Sequence, residues 1–176
     1  MKKFILLLAL AVCCVHAGAG EADASRAGRR GGGVAQKVGK GVRSGAKGAP
    51  RVEYLKNVGG TRQLPFSEAV RVGDVLYLSG QIGVDAGGAV VAGGIEAETR
   101  RTLENIRTTL ERHGSSMDNV FKCTVMLADI RTDYAPMNGV YRTFFRPERM
   151  PARSTFGANG LALGARVEIE CLATAR

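Results

Sequence analysis

The sequence predicts an α+β domain over residues 51–176, built from one sheet with two helices on a single face. Two observations support this fold class. Short segments rich in β-forming residues recur along the region, and two longer segments between them have the spacing of amphipathic helices. The composition, 45% hydrophobic and 23% charged, is that of a folded globular protein. A small sheet covered on one face only favours association with further copies of the chain.

The first strands are predicted near the start of this domain. Residues 51–58 mix polar and apolar side chains and predict an edge strand. Residues 69–72 and 74–79 predict two strands joined by a tight turn. Glycines on both sides of residues 81–82 are expected to interrupt the strand pattern there.

The clearest helix is predicted from Gly94 to His113. Its apolar stripe recurs every three or four positions, at Ile95, Thr99, Leu103, Ile106 and Leu110. Its solvated face is expected to hold two opposite-charge pairs four residues apart, Glu96–Arg100 and Arg107–Glu111. Gly114 ends the helix, and His113 is expected to do no more than interact favourably with the helix dipole.

A second helix is expected in the C-terminal half of the domain. Thr132 or Asp133 is predicted to cap its N-terminus, and Pro147 and Pro151 end it. One face of this helix presents larger side chains, namely Tyr134, Met137, Tyr141 and Phe144. The helix therefore has an apolar face to pack on the sheet.

Three strands complete the domain and contain two cysteines. A strongly alternating segment at 120–130 predicts a central strand, and further strands are predicted at 153–158 and 165–174. Cys123 and Cys171 occupy apolar positions of these strands, where cysteine is usually a small buried hydrophobic residue. A disulfide between them in an oxidising compartment is the less favoured alternative.

Residues 1–19 have the layout of a secretory signal peptide. A basic start precedes an apolar run at 4–15, and small residues follow it, so cleavage is expected after Ala17 or Ala19. The mature protein would then be exported, to the periplasm or out of the cell. A buried N-terminal helix and lipidation at Cys13 are the alternatives.

Residues 20–50 predict a flexible, glycine-rich basic linker. Residues 18–50 contain ten glycines, seven basic and two acidic residues, and almost no large apolar side chain. Residues 51–176 keep a net charge of only +2 out of the total of +9. The linker either contacts an anionic surface or is simply solvated. Because no aromatic residue is interleaved with its charges, no specific nucleic-acid partner is expected.

The composition excludes several kinds of catalytic centre. The chain has two histidines, His16 and His113, which argues against a Ser-His-Asp triad and a multi-histidine metal site. We expect neither a metal nor another cofactor. Tryptophan is absent and aromatic residues make up 6%, which argues against a base-stacking surface. An enzyme of this composition relies on arginine, carboxylates, backbone groups and water.

Candidate chemistry lies in two short C-terminal segments. Arg153 follows a proline break at the start of a predicted strand, and Glu168 and Glu170 project from one side of another. The planar guanidinium suits bidentate binding of a carboxylate. A nearby glutamate can position water and transfer a proton without histidine. The alternative is a purely structural Arg–Glu pair.

Several motifs along residues 51–176 recur together in one known family. They are Leu64-Pro65-Phe66-Ser67-Glu68-Ala69-Val70, Gly73 to Ile82 (GDVLYLSGQI), Asn105-Ile106, Met137-Asn138-Gly139-Val140-Tyr141 with Phe144-Phe145, Pro151-Ala152-Arg153-Ser154-Thr155, and Val167-Glu168-Ile169-Glu170. With them the chain resembles the RidA/YjgF family, also known as L-PSP endoribonucleases or translation initiation inhibitors. The resemblance implies a chorismate-mutase-like fold with one mixed sheet, assembled as a homotrimer with sites between subunits.

The resemblance also implies an activity, the hydrolysis of reactive 2-imino acids and their enamine tautomers, such as 2-iminopropanoate or 2-iminobutanoate, to 2-oxo acids and ammonia. Arg153 would bind the substrate carboxylate, and Glu168 would hold the attacking water. The pocket would be completed by Asn138, Ser79, Gly80 and backbone groups of Thr155. The sequence departs from the family at two positions: Phe66 replaces a frequent pocket tyrosine, and Thr155 replaces a frequent cysteine.

Two other functions stay open at this point. One is a non-catalytic module that binds small carboxylates at Arg153. The other is RNA cleavage or translation inhibition, as some family names state. The net charge of +2 on residues 51–176 and the expected export signal both disfavour the second.

Overall fold

The computed structural model describes residues 48–57 and 64–175. The expected signal peptide and the linker up to residue 47 lie outside the described residues. Within these residues, neither helix combines the length and hydropathy that crossing a bilayer requires.

The described residues form one mixed sheet with two helices. The elements are β1 (Val52–Leu55), β2 (Ala69–Val72), β3 (Val75–Leu78), β4 (Gln81–Ile82), α1 (Gly94–Arg112), β5 (Val120–Leu127), α2 (Ile130–Tyr141), β6 (Ala152–Gly157) and β7 (Val167–Thr174). The strand order is β1-β2-β3-β7-β5-β6, and β4 also pairs with β7. Only the β5–β6 pairing is parallel among these strands, so the sheet is mixed, as expected.

The sequence predictions for β4 and for the N-terminus of α2 were wrong. Residues 81–82 do not break the sheet but form β4, which pairs antiparallel with β7. The cap of α2 is Asp129, whose side chain accepts a hydrogen bond from the Arg131 backbone at 3.0 Å, so neither Thr132 nor Asp133 caps the helix. Because the helix begins earlier, Asp133 lies within its first turn and becomes buried.

The core lies between the helices and one face of the sheet. Alternate residues of β5 and β7 are fully buried there, namely Cys123, Val125, Leu127, Val167, Ile169 and Cys171. They face the apolar stripe of α1 and two residues of α2, that is Leu103, Ile106, Leu110, Met137 and Tyr141. Each buried aliphatic side chain contributes about 1.5–3 kcal/mol. The intervening residues of β7 project from the other face, which we call the helix-free face.

The two cysteines form a disulfide, contrary to the expectation of separate thiols. Cys123 of β5 and Cys171 of β7 are direct Cα partners in the antiparallel pairing, with their Cα atoms 4.1 Å apart. Both cysteines are fully buried. The alternation of apolar and polar residues is a local property of each strand. The disulfide, in contrast, depends on which two strands are adjacent and on the register in which they pair. The sequence pattern does not contain that information.

Polar contacts of α1 also differ from the expectation. His113 does more than face the helix dipole, because its Nε2 lies 3.0 Å from Glu68 Oε2. Burial raises the pKa of Glu68, but hydrogen bonds from Arg112 and His113 outweigh it and lower the pKa overall. The two expected pairs on the solvated face are not formed. Arg107 instead lies over the Phe144 ring at 5.1 Å.

Candidate functional site

Arg153 projects from the edge strand β6 toward the helices. The parallel register places it opposite Cys123, whose side chain lies in the helix-facing core. Its guanidinium lies 4.7 Å from the ring centroid of Tyr141 and 5.9 Å from that of Tyr134, both on α2. Each ring attracts the cation through its π face. The arginine is therefore held by aromatic rings.

An open cavity of about 330 Å³ adjoins this arginine. Its lining consists of Asn138, Tyr141, Arg142, Met150, Pro151 and Arg153. In the described part of the chain, Arg153 forms no ion pair and donates no side-chain hydrogen bond. The donors of its planar fork are thus available to an external carboxylate. The cavity is at the small end of the range for ligand sites.

Tyr141 and Thr155 bring buried hydroxyls to this side of the sheet. The Tyr141 ring is 4% exposed, and its hydroxyl has no hydrogen-bond partner among the described residues. Burial raises the pKa of Tyr141 to about 12, although the charge of Arg153 acts in the opposite direction. The Thr155 hydroxyl is likewise buried without a partner among those residues. Tyr141 therefore stays a neutral phenol at physiological pH.

An ion pair between the buried carboxylate of Asp133 and the half-exposed Arg166 positions α2, the helix that supplies Asn138 and Tyr141. The carboxylate of Asp133 accepts two hydrogen bonds from the Arg166 guanidinium, at 3.1 Å and 2.6 Å. The backbone amide of Arg166 donates to Glu98 Oε2 on α1 at 2.7 Å. These contacts attach both helices to the residue that precedes β7. This group was not predicted from the sequence.

Glu168 projects from the helix-free face. It is the Cα partner of Met126 on β5 and of Ile82 on β4, and its neighbours Val167 and Ile169 point into the core. Glu168 and Glu170 lie on the same side of β7, as expected from their spacing. Burial raises the pKa of Glu168, and the charge of Glu170 raises it further.

Gly80 provides the space in which the Glu168 carboxylate lies. A Cβ atom at this glycine would overlap that carboxylate, so no larger residue fits without moving it. The preceding residue is fixed by two bonds: the Ser79 hydroxyl donates to the Ser67 carbonyl at 2.7 Å, and its amide donates to the Glu68 carbonyl at 3.0 Å. In the local sequence Ser-Gly, Ser79 is therefore held in place by hydrogen bonds, and Gly80 leaves room for the Glu168 carboxylate.

The structure thus divides the expected site residues into two groups. Arg153, Asn138 and Thr155 lie on the helix side of the sheet and form the arginine group. Glu168, Gly80 and Ser79 lie at the other side, around the carboxylate, and form the glutamate group. Phe66 is 54% exposed in the segment before β2. Within one chain the sheet separates the two groups, so a ligand on Arg153 does not reach Glu168.

Four lining residues were not identified as site residues from the sequence, and one of them, Pro151, was noted only as the break before the strand of Arg153. Tyr141 was assigned to an apolar helix face, and Arg142 and Met150 were not singled out. The proximity of aromatic residues on α2 to an arginine on β6 is a tertiary feature that spacing along the chain does not reveal. In the described part of the chain, no group of three His, Cys, Asp or Glu side chains is placed to hold a metal ion.

Comparisons with known proteins relate this geometry to characterised chains. A family model described as Endoribonuclease L-PSP matches residues 61–175. A Mus musculus protein named 2-iminobutanoate/2-iminopropanoate deaminase is 40% identical over 110 residues, 62% of this chain and 80% of that protein. The Bos taurus protein of the same name is 43% identical over 110 residues, 62% of this chain and 79% of that protein. The crystal structure of the YjgF gene product from E. coli, 31% identical, has a TM-score of 0.59 and covers 70% of this chain and 94% of that one.

Proposed function

This chain belongs to the Endoribonuclease L-PSP family, and on that basis we propose that it hydrolyses reactive 2-imino acids to 2-oxo acids and ammonia. The resemblance drawn from the sequence motifs is confirmed by the family match. In the reaction, the oxygen of one water molecule adds to the imine carbon. The carbon–nitrogen bond then breaks, the carbonyl forms, and the nitrogen leaves as ammonia.

The observation that supports this function most directly is the guanidinium of Arg153, which lies at a small cavity and has no ion-pair partner among residues 48–57 and 64–175. A 2-imino acid presents a planar carboxylate next to its reactive carbon, and a guanidinium binds such a group through two parallel hydrogen bonds. The ring of Tyr141, 4.7 Å away, holds the cation without occupying its donors. Substrate orientation is therefore the role we assign to Arg153.

Glu168 is the residue we assign to water activation and proton transfer. As a carboxylate it accepts a proton from the attacking water, and it then returns that proton to the departing nitrogen. Burial and the charge of Glu170 raise its pKa, which makes both steps easier near neutral pH. Gly80 leaves the carboxylate unobstructed by a side chain.

A complete site on this assignment requires two chains, because the sheet of one chain separates its arginine group from its glutamate group. We infer that the protein assembles as a homotrimer in which each site joins the arginine group of one subunit to the glutamate group of the next. Apolar side chains on the helix-free face support such an assembly. Val52, Tyr54, Tyr77 and Phe156 are each 46–73% exposed there.

Export from the cytoplasm is a further part of the proposal. It rests on the signal-like residues 1–19 and is supported by the buried Cys123–Cys171 disulfide, since such bonds persist mainly in oxidising compartments. N-terminal sequencing of the protein from its host tests this. A mature protein that retains Met1 would contradict it.

The activity is tested with imines generated in situ from alanine and 2-aminobutanoate by an amino-acid oxidase. We expect the full chain to accelerate release of ammonia and 2-oxo acid. Arg153→Ala should lower kcat/KM by about one and a half to four decades, since a lost buried charged hydrogen bond costs about 2–5 kcal/mol. Arg153→Lys should restore little. Glu170→Gln is the matched control for Glu168→Gln.

Two outcomes would favour the alternatives. If the chain binds 2-oxobutanoate through Arg153 but leaves the imine lifetime unchanged, it is a carboxylate-binding module. If the same preparation cleaves RNA but does not hydrolyse imines, the chain is an endoribonuclease, as the family name states. We expect no cleavage, because the net charge of +2 on residues 51–176 gives RNA little attraction.

A further inference from the structure

A second arginine lines the cavity that contains Arg153. Arg142 follows α2 directly, and its Nε donates to the Asn138 carbonyl at 3.2 Å. That bond holds the side chain near the cavity while leaving its two terminal nitrogens available. In the described part of the chain, Arg142 forms no ion pair.

The remaining lining gives these two charges no counterion. Asn138, Tyr141, Met150 and Pro151 are neutral, and the nearest acidic residue in sequence, Glu148, does not line the cavity. Among the residues that the structure describes, the lining of this cavity of about 330 Å³ therefore has two guanidinium groups and no carboxylate. A substrate with one carboxylate neutralises only one of them.

We propose that the cavity selects 2-imino acids that carry a second carboxylate, with Arg153 binding the group next to the imine and Arg142 the distal one. The inference rests on the proposed function and specifies its substrate class. The reaction is unchanged: water supplies the carbonyl oxygen, and the imine nitrogen leaves as ammonia. A substrate with a methyl group in place of the distal carboxylate has no group that pairs with Arg142. The two arginines together therefore favour dicarboxylate imines over monocarboxylate ones.

The sharpest test compares two imines of equal length, 2-iminobutanedioate and 2-iminobutanoate. They differ only in a terminal carboxylate against a methyl group. We expect kcat/KM to be about tenfold or more higher for the dicarboxylate at low salt. The ratio should fall as ionic strength rises, because Arg142 is exposed.

Variants of Arg142 test whether this residue causes the preference for the dicarboxylate imine. Arg142→Ala should lower the ratio by about tenfold, and Arg142→Lys should retain part of it, since the charge stays while the planar fork is lost. Arg131→Ala is the matched control, because Arg131 is an exposed arginine at the other end of α2 and does not line the cavity. An unchanged ratio in Arg142→Ala, or no preference in the wild type, would overturn the inference.

A binding measurement separates this inference from the proposed function. Calorimetric titration with oxaloacetate and 2-oxobutanoate, the two product acids, needs no catalysis. If neither imine is hydrolysed but oxaloacetate binds more tightly through Arg142, the catalytic proposal fails and the selectivity holds. If both imines are hydrolysed equally and both acids bind equally, the selectivity fails and the catalytic proposal holds.

Discussion

Two inactive variants, Arg153→Ala and Glu168→Gln, should restore activity when they assemble together. Each variant removes one half of the proposed site and keeps the other. Arg153 makes no ion pair with the described residues, and glutamine preserves the volume of Glu168, so neither change should disturb the fold. An assembly of one variant alone has no intact site, because every site lacks the arginine in Arg153→Ala and the carboxylate in Glu168→Gln.

The magnitude follows from the placement of the two groups on opposite faces of one sheet. If each site takes its arginine from one chain and its glutamate from the next, a random equal mixture has about one quarter of its sites intact. Trimers that contain both variants have one intact site in three, so their activity should be about one third of wild type. A site contained within one chain predicts no recovery at all.

Co-expression with two different affinity tags provides the assay. Tandem purification isolates the mixed assemblies, native mass spectrometry establishes their composition, and ammonia release from 2-iminopropanoate measures activity. Mixed assemblies that are as inactive as the parents, beside an active wild type, would refute the argument that the site joins two chains. A monomeric wild type by light scattering at micromolar concentration would refute it as well.

Three further results are expected. The acid limb of the kcat/KM profile should have an apparent pKa above the ordinary glutamate value of 4.5, because burial and a neighbouring carboxylate raise the pKa of Glu168 and activity requires its ionised form. Gly80→Ala should lower kcat by about tenfold or more, since the new Cβ displaces the Glu168 carboxylate, and steady-state kinetics measure this. Replacing Cys123 and Cys171 together by alanine should lower the free energy of unfolding by about 4 kcal/mol in urea titrations, because the bond closes a loop of 48 residues.

Each of these results has a control. Glu170→Gln removes the neighbouring charge, so the acid limb should move to lower pH; a limb that stays in place would show that Glu170 does not act on Glu168. Gly139→Ala is the control for Gly80→Ala, because a Cβ there meets no atom within 4 Å. Equal activity losses in the two glycine variants would contradict the close approach. An unfolding free energy that the cysteine variant leaves unchanged would contradict the cross-link.

The sequence by itself determined most of the secondary structure and the chemical groups of the site. The stripe of α1 and the alternation of β5 and β7 are local periodicities, which determine which residues of one element share a face. They placed Glu168 and Glu170 together on β7, as observed. Arg153 was singled out by its guanidinium, which suits carboxylate binding, and the Ser79-Gly80 pair by the family resemblance.

Only the tertiary structure decided how those groups meet. The parallel pairing of β6 with β5 turns Arg153 toward α2, and the antiparallel pairing of β7 turns Glu168 to the helix-free face. The same register places Cys123 opposite Cys171. The physical reason is that side chains alternate along a strand in the same way whichever strand it pairs with. A shift of one residue in the pairing register moves every side chain of the strand to the opposite face of the sheet. Pairing and register follow from the packing of the whole core, which no local pattern contains.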